Sequence, residues 1–184
     1  MNIYSLVRQS VRNSILDIFA VDFPNTPIIF SHSGGSEPSV PYVVINILSV
    51  DQKGHHSTST LTTVPIDGVG ELSVSAFYEV MVQYSFCGTT AGDMAHTFSH
   101  RVSNNPLTFL EQQENKLAYM RKSTIRRAPQ KRDTSWIENF NIDITYNYVA
   151  NEQQLVDVVE GFVISDETGD IPVIIKIPDT IVYP

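Results

Sequence analysis

A run of strictly alternating residues between Glu71 and Phe86 constrains the fold more than any other feature of this sequence. Every second side chain from Leu72 to Phe86 is apolar or aromatic, and most of the intervening ones are polar. Successive side chains of a strand point to opposite faces, whereas a helix repeats every 3.6 residues, so the pattern predicts a β-strand with one buried face. The run of about 16 residues exceeds the usual strand of about 5–6. We therefore expect it to bend or to extend beyond its own domain, and its edge to attract a partner.

Other patterns predict helices on either side of this strand. In residues 2–20 apolar side chains recur every three or four positions, which indicates an amphipathic helix that ends before Pro24. Thr89 or Thr90 is expected to cap a helix that runs through Asn104. A shorter helical stretch is predicted for residues 106–114.

Further strands are predicted before and after these helices. PYVVINILSV, residues 41–50, is β-branched and almost continuously apolar, as in a central strand. Residues 117–127 and 135–149 are expected to be extended. In the second of these, one face is expected to carry Trp136, Phe140, Ile142, Ile144, Tyr146 and Tyr148.

Two segments are expected to lie outside the sheet and the helices that these elements form. The polar, turn-rich residues 51–70 fit a long loop or a projecting hairpin, which makes them our first candidate for a contact arm. Residues 151–184 contain the apolar runs GFVIS and IPVIIKI around the turn DETGD, which indicates a C-terminal hairpin that rests on its own sheet or on another subunit.

These elements predict the α+β class: a mainly antiparallel sheet covered by two or three helices, with a projecting β-hairpin insert and a C-terminal β-hairpin extension. Residues 1–150 are expected to form one α+β domain that includes the insert 51–70. Residues 151–184 are expected to form an extension that acts as an interaction arm.

Composition excludes several classes of protein. The single cysteine, Cys87, rules out an intramolecular disulfide or a cysteine-rich zinc site. We expect its side chain to be buried, and the protein to be found in a reducing compartment. The N-terminal region lacks the continuous apolar centre of a signal peptide, and no apolar run is long enough to cross a membrane. A net charge of −8 argues against a protein whose main task is to coat nucleic acid.

No motif carries a clear reaction chemistry, so we predict no enzyme, no metal site and no cofactor. His96 and His100 have the helical spacing of a zinc pair, but no glutamate follows His96 directly and no third ligand is evident. SHSGGS, residues 31–36, lacks the lysine of a phosphate loop and the spacing of a nucleophile turn. An enzyme or a nucleic-acid- or phosphate-binding module using the basic segment 121–132 is the alternative that remains open.

Charge is distributed unevenly along the chain. Half of the 12 basic residues lie between 121 and 132, whereas residues 150–184 hold seven acids and only one lysine. Such segments can attract each other across subunits. The predicted subunit interface comprises Arg121, Lys122, Arg126, Arg127, Lys131 and Arg132 on the basic side, with Glu160, Asp166, Glu167 and Asp170 on the acidic side.

The succession of segments is itself informative. An N-terminal helix with LVRQSVRNSI is followed by PYVVINILSV, a polar insert closed by GVGELSVSAFYEV, a central helix and the late strand WIENFNIDITYNYV. This order, over about residues 1–150, resembles the phage neck terminator and tail-completion proteins of long-tailed bacteriophages. One departure is that Glu138 is followed by Asn139, where the family often has arginine.

The resemblance implies a structural virion protein that assembles as a homo-hexamer at the head-proximal end of the tail. Such a ring joins collar or connector proteins to the tail tube and, where present, to the sheath, and genomic DNA passes through it without specific binding. Assembly in the host cytoplasm, a final place in the virion neck and the absence of a membrane partner are further expectations.

Overall fold

The computed structural model describes residues 2–32, 34–63, 69–132, 135–157, 161–164, 173–176 and 180–182. Contacts divide the chain into two compact units. The first contains Met1–Lys53 and Phe77–Val149, and the second contains Gly54–Ala76 and Ala150–Pro184.

Within these ranges the chain forms three helices and eleven strands, which confirms the α+β class. In chain order they are α1 (Ile3–Phe19), β1 (Ile28–Phe30), β2 (Tyr42–Thr63), β3 (Val69–Cys87), α2 (Ala91–Ser103), α3 (Asn105–Glu114), β4 (Leu117–Lys122), β5 (Arg126–Arg127), β6 (Gln130–Arg132), β7 (Ser135–Ile137), β8 (Asn139–Asp157), β9 (Gly161–Ile164), β10 (Val173–Lys176) and β11 (Thr180–Val182).

The main sheet has the strand order β1-β2-β3-β8-β4, so β1 and β4 are its terminal strands. β1 runs parallel to β2, with Ile29 opposite Val44, whereas β4 and β5 run antiparallel to β8. The sheet is therefore mixed but mainly antiparallel, as predicted.

The predicted N-terminal helix is confirmed as α1. Its apolar residues Val7, Val11 and Ile15 have no exposed surface, because their spacing places them on the face that packs into the core. The Asn2 side chain accepts a hydrogen bond of 3.3 Å from the Ser5 backbone N–H and so satisfies one free donor of the first turn.

The alternating run forms the centre of the core. Val80, Val82, Tyr84 and Phe86 of β3 are fully buried, while the residues between them are partly exposed. Phe98 of α2 lies over this face, with its ring centroid 4.5 Å from that of Tyr84 and 5.6 Å from that of Phe86. Burial of such aromatic side chains accounts for much of the stability of a core of this size.

The prediction for Trp136 is wrong. This side chain is 68% exposed and does not share the buried face of Ile142 and Tyr146. β7 ends at Ile137 and pairs with β6 in a separate two-stranded sheet, with Lys131 opposite Trp136. The alternation therefore restarts at β8, and it does not extend back through Glu138.

The predicted cap of α2 is only partly correct. Thr90 occupies the N-cap position, but its side chain makes no capping hydrogen bond. Its φ of −99° and ψ of 10° depart from the extended backbone that lets an N-cap hydroxyl reach the first turn. The hydroxyl oxygen is buried, and no partner for it is found in the described part of the chain.

The second unit contains the C-terminal strands. β9 and β10 form the predicted antiparallel hairpin, with Val173 opposite Ile164, and the turn DETGD lies outside the described residues. β11 pairs antiparallel with the distal part of β2, with Ile181 opposite Leu61. The 51–70 insert contributes strand residues on both of its sides, and its role as a contact arm stays a prediction.

Candidate functional site

The basic residues predicted for an interface begin on β4, where two neighbouring cations follow a β-bulge. The register of β4 against β8 shifts between Tyr119 and Arg121, so that Arg121 lies opposite Thr145 and Lys122 opposite Ile144. Consecutive residues of a strand point to opposite faces. These two cations therefore lie on different faces of the sheet.

Arg121 lies on the face away from α2, where its partners belong to its own chain. Its Nε donates a hydrogen bond of 3.3 Å to the Thr145 hydroxyl, and its guanidinium lies 3.8 Å from the Glu79 carboxylate. Glu79 also pairs with Lys53 at 3.6 Å. One carboxylate therefore balances two exposed cations.

Lys122 reaches the opposite face and contacts the last turn of α2. Its ammonium donates hydrogen bonds to the Ser99 carbonyl at 2.8 Å and to the Ser103 hydroxyl at 2.9 Å. Carbonyls at a helix C-terminus lack partners within the helix and carry partial negative charge, so this lysine stabilises the end of α2.

The two arginines of β5 are also paired within the chain. Arg126 forms an ion pair with Asp143, which accepts a second hydrogen bond of 3.1 Å from the Gln83 side-chain amide. Arg127 binds both carboxylate oxygens of Glu138. The hydrogen bond and the charge of Glu138 raise the pKa of the Arg127 guanidinium above its usual value.

The remaining predicted interface residues lie on β6 or outside the described residues. Lys131 is exposed on β6, and Arg132 ends that strand opposite Ser135. Glu160, Asp166, Glu167 and Asp170 lie outside the described residues. The described part of the chain thus does not test whether the basic and acidic sets meet, and their interface role stays a prediction.

Two surface grooves were not identified from the sequence. The first has a volume of about 450 Å³ and is lined by residues of α2, α3 and β4, including Phe109, Gln112 and Tyr119. Phe109 and Leu110 are 52% and 67% exposed on the same helix. We call this the α3–β4 surface. The sequence signal for it is the apolar pair in the middle of a short polar helix.

The second groove lies between α1 and β1 and has a volume of about 410 Å³. Its lining is polar and cationic, with one aromatic residue, and consists of Ser5, Arg8, Gln9, Arg12, Asn13 and Phe30. The Arg8 guanidinium lies over the Phe30 ring, 4.3 Å from its centroid. We call this the α1–β1 groove. The sequence signal for it is the arginine pair at i and i+4 on the polar side of α1.

Residues that suggested chemistry in the sequence are dispersed. His96 and His100 are exposed on α2, and no group of three or more His, Cys, Asp and Glu that could hold a metal ion occurs in the described ranges. Cys87 is buried, and burial raises the pKa of its thiol. A thiol in this state is a weak nucleophile.

Two tyrosines form a buried polar pair in the core. The hydroxyls of Tyr84 and Tyr146 lie 3.1 Å apart, and both side chains are fully buried. Burial raises the pKa of both phenols, since the charged form would lose its hydration. The pair is suited to holding β3 and β8 in register rather than to proton transfer near neutral pH.

Helices long and apolar enough to span a membrane do not occur in the part of the chain that the structure describes.

Comparison with known proteins identifies one relationship. A family model described as "Phage neck terminator protein" matches residues 1–174. No curated protein matches the chain.

Proposed function

The chain belongs to the phage neck terminator family, and from this premise we propose that it forms a homo-hexameric ring at the head–tail junction. A structural role in the phage tail and neck follows from the family itself. In the proposed ring each copy contacts two others, while collar or connector proteins bind one side and the tail tube binds the other.

Ring formation sets a geometric requirement on each subunit. A closed ring uses a heterologous contact, in which one surface of a subunit meets a different surface of the next. The two grooves meet this requirement. The α3–β4 surface is next to β4 and the α1–β1 groove is next to β1, and these are the two terminal strands of the sheet.

The α3–β4 surface is the observation that carries the proposal. Phe109 lines the groove and is 52% exposed, and Leu110, the next residue of α3, is 67% exposed. Exposed apolar side chains of this size are typical of a surface that binds a partner. Among the described strands, β4 pairs only with β8, so its other edge is open for backbone hydrogen bonds. An apolar patch beside an open strand edge favours contact with a second copy.

The charges on the sheet weigh against the alternative of a nucleic-acid- or phosphate-binding module. A phosphate-binding site requires cations that are free to contact the ligand. Arg121, Arg126 and Arg127 each pair with a carboxylate of their own chain. The net charge of −8 is instead compatible with DNA that passes through the ring without binding.

The proposal is tested by measuring assembly of the purified chain, alone and with its tail-tube protein, using mass photometry and negative-stain imaging. We expect six-fold rings in at least one of these conditions. A particle that stays monomeric in both conditions and does not bind the tube protein would contradict the proposal.

A matched pair of variants tests the contact surface. Phe109→Glu places a charge on the α3–β4 surface and is expected to weaken assembly at least tenfold, because buried apolar anchors contribute about 2 kcal/mol or more to an interface. Val21→Glu also replaces an apolar side chain with glutamate, at a residue that is 78% exposed elsewhere. Equal loss in both variants would show that the α3–β4 surface is not the contact.

A further inference from the structure

Arg8 and Arg12 form a cationic site on α1 that no carboxylate among the described residues neutralises. They lie one helical turn apart and line the same groove. No ion pair of either residue occurs among the described residues, whereas Arg121, Arg126 and Arg127 are all paired. Like charges at i and i+4 of a helix repel each other and destabilise it. A partner that supplies negative charge would remove this cost.

The lining of the groove keeps the Arg8 guanidinium accessible to a ligand. Arg8 is held against the Phe30 ring at 4.3 Å, an arrangement in which the planar guanidinium keeps its edge N–H donors available. Ser5, Gln9 and Asn13 add hydrogen-bonding groups along the same face of α1. Arginine forks bind carboxylates with two parallel hydrogen bonds, so an acidic polypeptide segment suits this lining.

We propose that the α1–β1 groove binds the acidic C-terminal segment, residues 150–184, of a neighbouring copy. This segment carries seven acids and one lysine, so its negative charge complements the two arginines of the groove. The inference rests on the proposed ring and specifies one of its contacts. It also replaces the basic segment 121–132 as the main cationic partner, because most of those cations already have partners in their own chain.

Duplex DNA is the competing occupant of a cationic groove. Two adjacent arginines provide few phosphate contacts, and DNA binding of useful strength generally requires many more. The remaining surface belongs to a chain of net charge −8, which repels a polyanion. A short acidic segment that is tethered to the next subunit does not meet this obstacle.

Complementary charge reversals test the assignment. One variant carries Arg8→Glu and Arg12→Glu, and the other carries Asp166→Lys, Glu167→Lys and Asp170→Lys. Each variant alone is expected to assemble at least tenfold more weakly than the wild type by mass photometry, in the condition where the wild type forms rings. An equal mixture is expected to recover assembly to within about threefold, because each altered groove then meets an altered segment.

A control with the same change in net charge as the arginine variant carries Val21→Glu, Ser36→Glu, Ser39→Glu and Gln52→Glu, all at exposed positions outside the α3–β4 surface and the α1–β1 groove. It is expected to assemble as the wild type does, and circular dichroism verifies that every variant is folded. Equal weakening in the control, or no recovery in the mixture, would overturn the assignment.

Two further outcomes separate this inference from the proposed function. If the wild type forms rings and the Arg8/Arg12 variant assembles equally well, the groove assignment is wrong and the ring remains. If that variant instead loses affinity for a labelled 20-base-pair DNA duplex while assembly is unchanged, the occupant is nucleic acid and the inference fails.

Discussion

The buried hydroxyl pair of Tyr84 and Tyr146 gives a quantitative test of how the core holds together. The perturbation is removal of one hydroxyl at a time, by Tyr84→Phe or Tyr146→Phe, followed by removal of both. Phenylalanine keeps the ring and its packing, so the change is confined to the polar atoms. Because the hydroxyls lie 3.1 Å apart, each single variant leaves the other hydroxyl buried without its observed partner.

The expected magnitude follows from the cost of an unsatisfied polar group. A buried donor or acceptor that loses its partner costs about 1–3 kcal/mol, whereas replacing both partners with apolar groups is nearly neutral. We therefore expect each single variant to lose about 1–3 kcal/mol of unfolding free energy, and the double variant to lie within about 1 kcal/mol of the wild type.

Urea denaturation followed by circular dichroism measures these differences. At a denaturant slope of about 1–3 kcal/mol/M, the single variants should unfold at a urea concentration lower by roughly 1 M. A double variant whose loss equals the sum of the two single losses would refute the reasoning, because it would show that the hydroxyls act independently.

The same pair predicts a pH dependence. Burial raises the folded-state pKa of both tyrosines above the unfolded value of about 10. Their contribution is therefore fully present below about pH 10 and is lost as the pH rises from there towards the folded pKa. The double variant should lose stability more gradually than the wild type between about pH 9 and pH 11. Identical alkaline profiles would contradict this assignment.

Three other predictions concern packing, backbone and charge. Phe98→Ala should lower the unfolding free energy by about 3–5 kcal/mol in a denaturant titration, because it empties the centre of the aromatic core. Gly88→Ala should cost about 1–3 kcal/mol, measured in the same way, since φ is +113° there and the added methyl would lie 2.9 Å from the Cα of Pro41. Lys122→Met should lower the thermal midpoint by loosening the end of α2, whereas Arg121→Gln, which removes a cation that is 67% exposed, should change stability by less than about 1 kcal/mol.

Much of the first unit could be predicted from the sequence because its patterns are local. The alternation through Val80 and Phe86 and the helical spacing from Val7 to Ile15 each depend on one face being buried. Such patterns survive in any tertiary arrangement that covers that face.

Features that depend on chain reversals were harder to predict. Trp136 continues the alternation of β8 in the sequence, but it belongs to another hairpin, because pairing with Lys131 determines its position. Nothing local marks the boundary at Glu138. Thr90 was identified as a cap from its residue type, but its backbone angles decide whether the hydroxyl can reach the helix.

The ion pairs of the candidate interface could not be predicted from the sequence either. A cluster of cations in the sequence does not reveal which carboxylates lie across a sheet. Glu79 and Asp143 come from other strands and neutralise Arg121 and Arg126 within the chain. The sequence does not single out Arg8, because it lies in an ordinary amphipathic helix, and only its position beside Phe30 distinguishes it.

The bulge in β4 determines which face each of two charges occupies. If Met120 paired with Thr145 in a regular ladder, Arg121 would lie opposite Ile144 and Lys122 opposite Asp143, so the ammonium and the guanidinium would exchange faces. Deleting Met120 would instead remove the extra residue and leave Arg121 opposite Thr145 and Lys122 opposite Ile144. Homologues that lack this residue should therefore keep the two side-chain types in the same order.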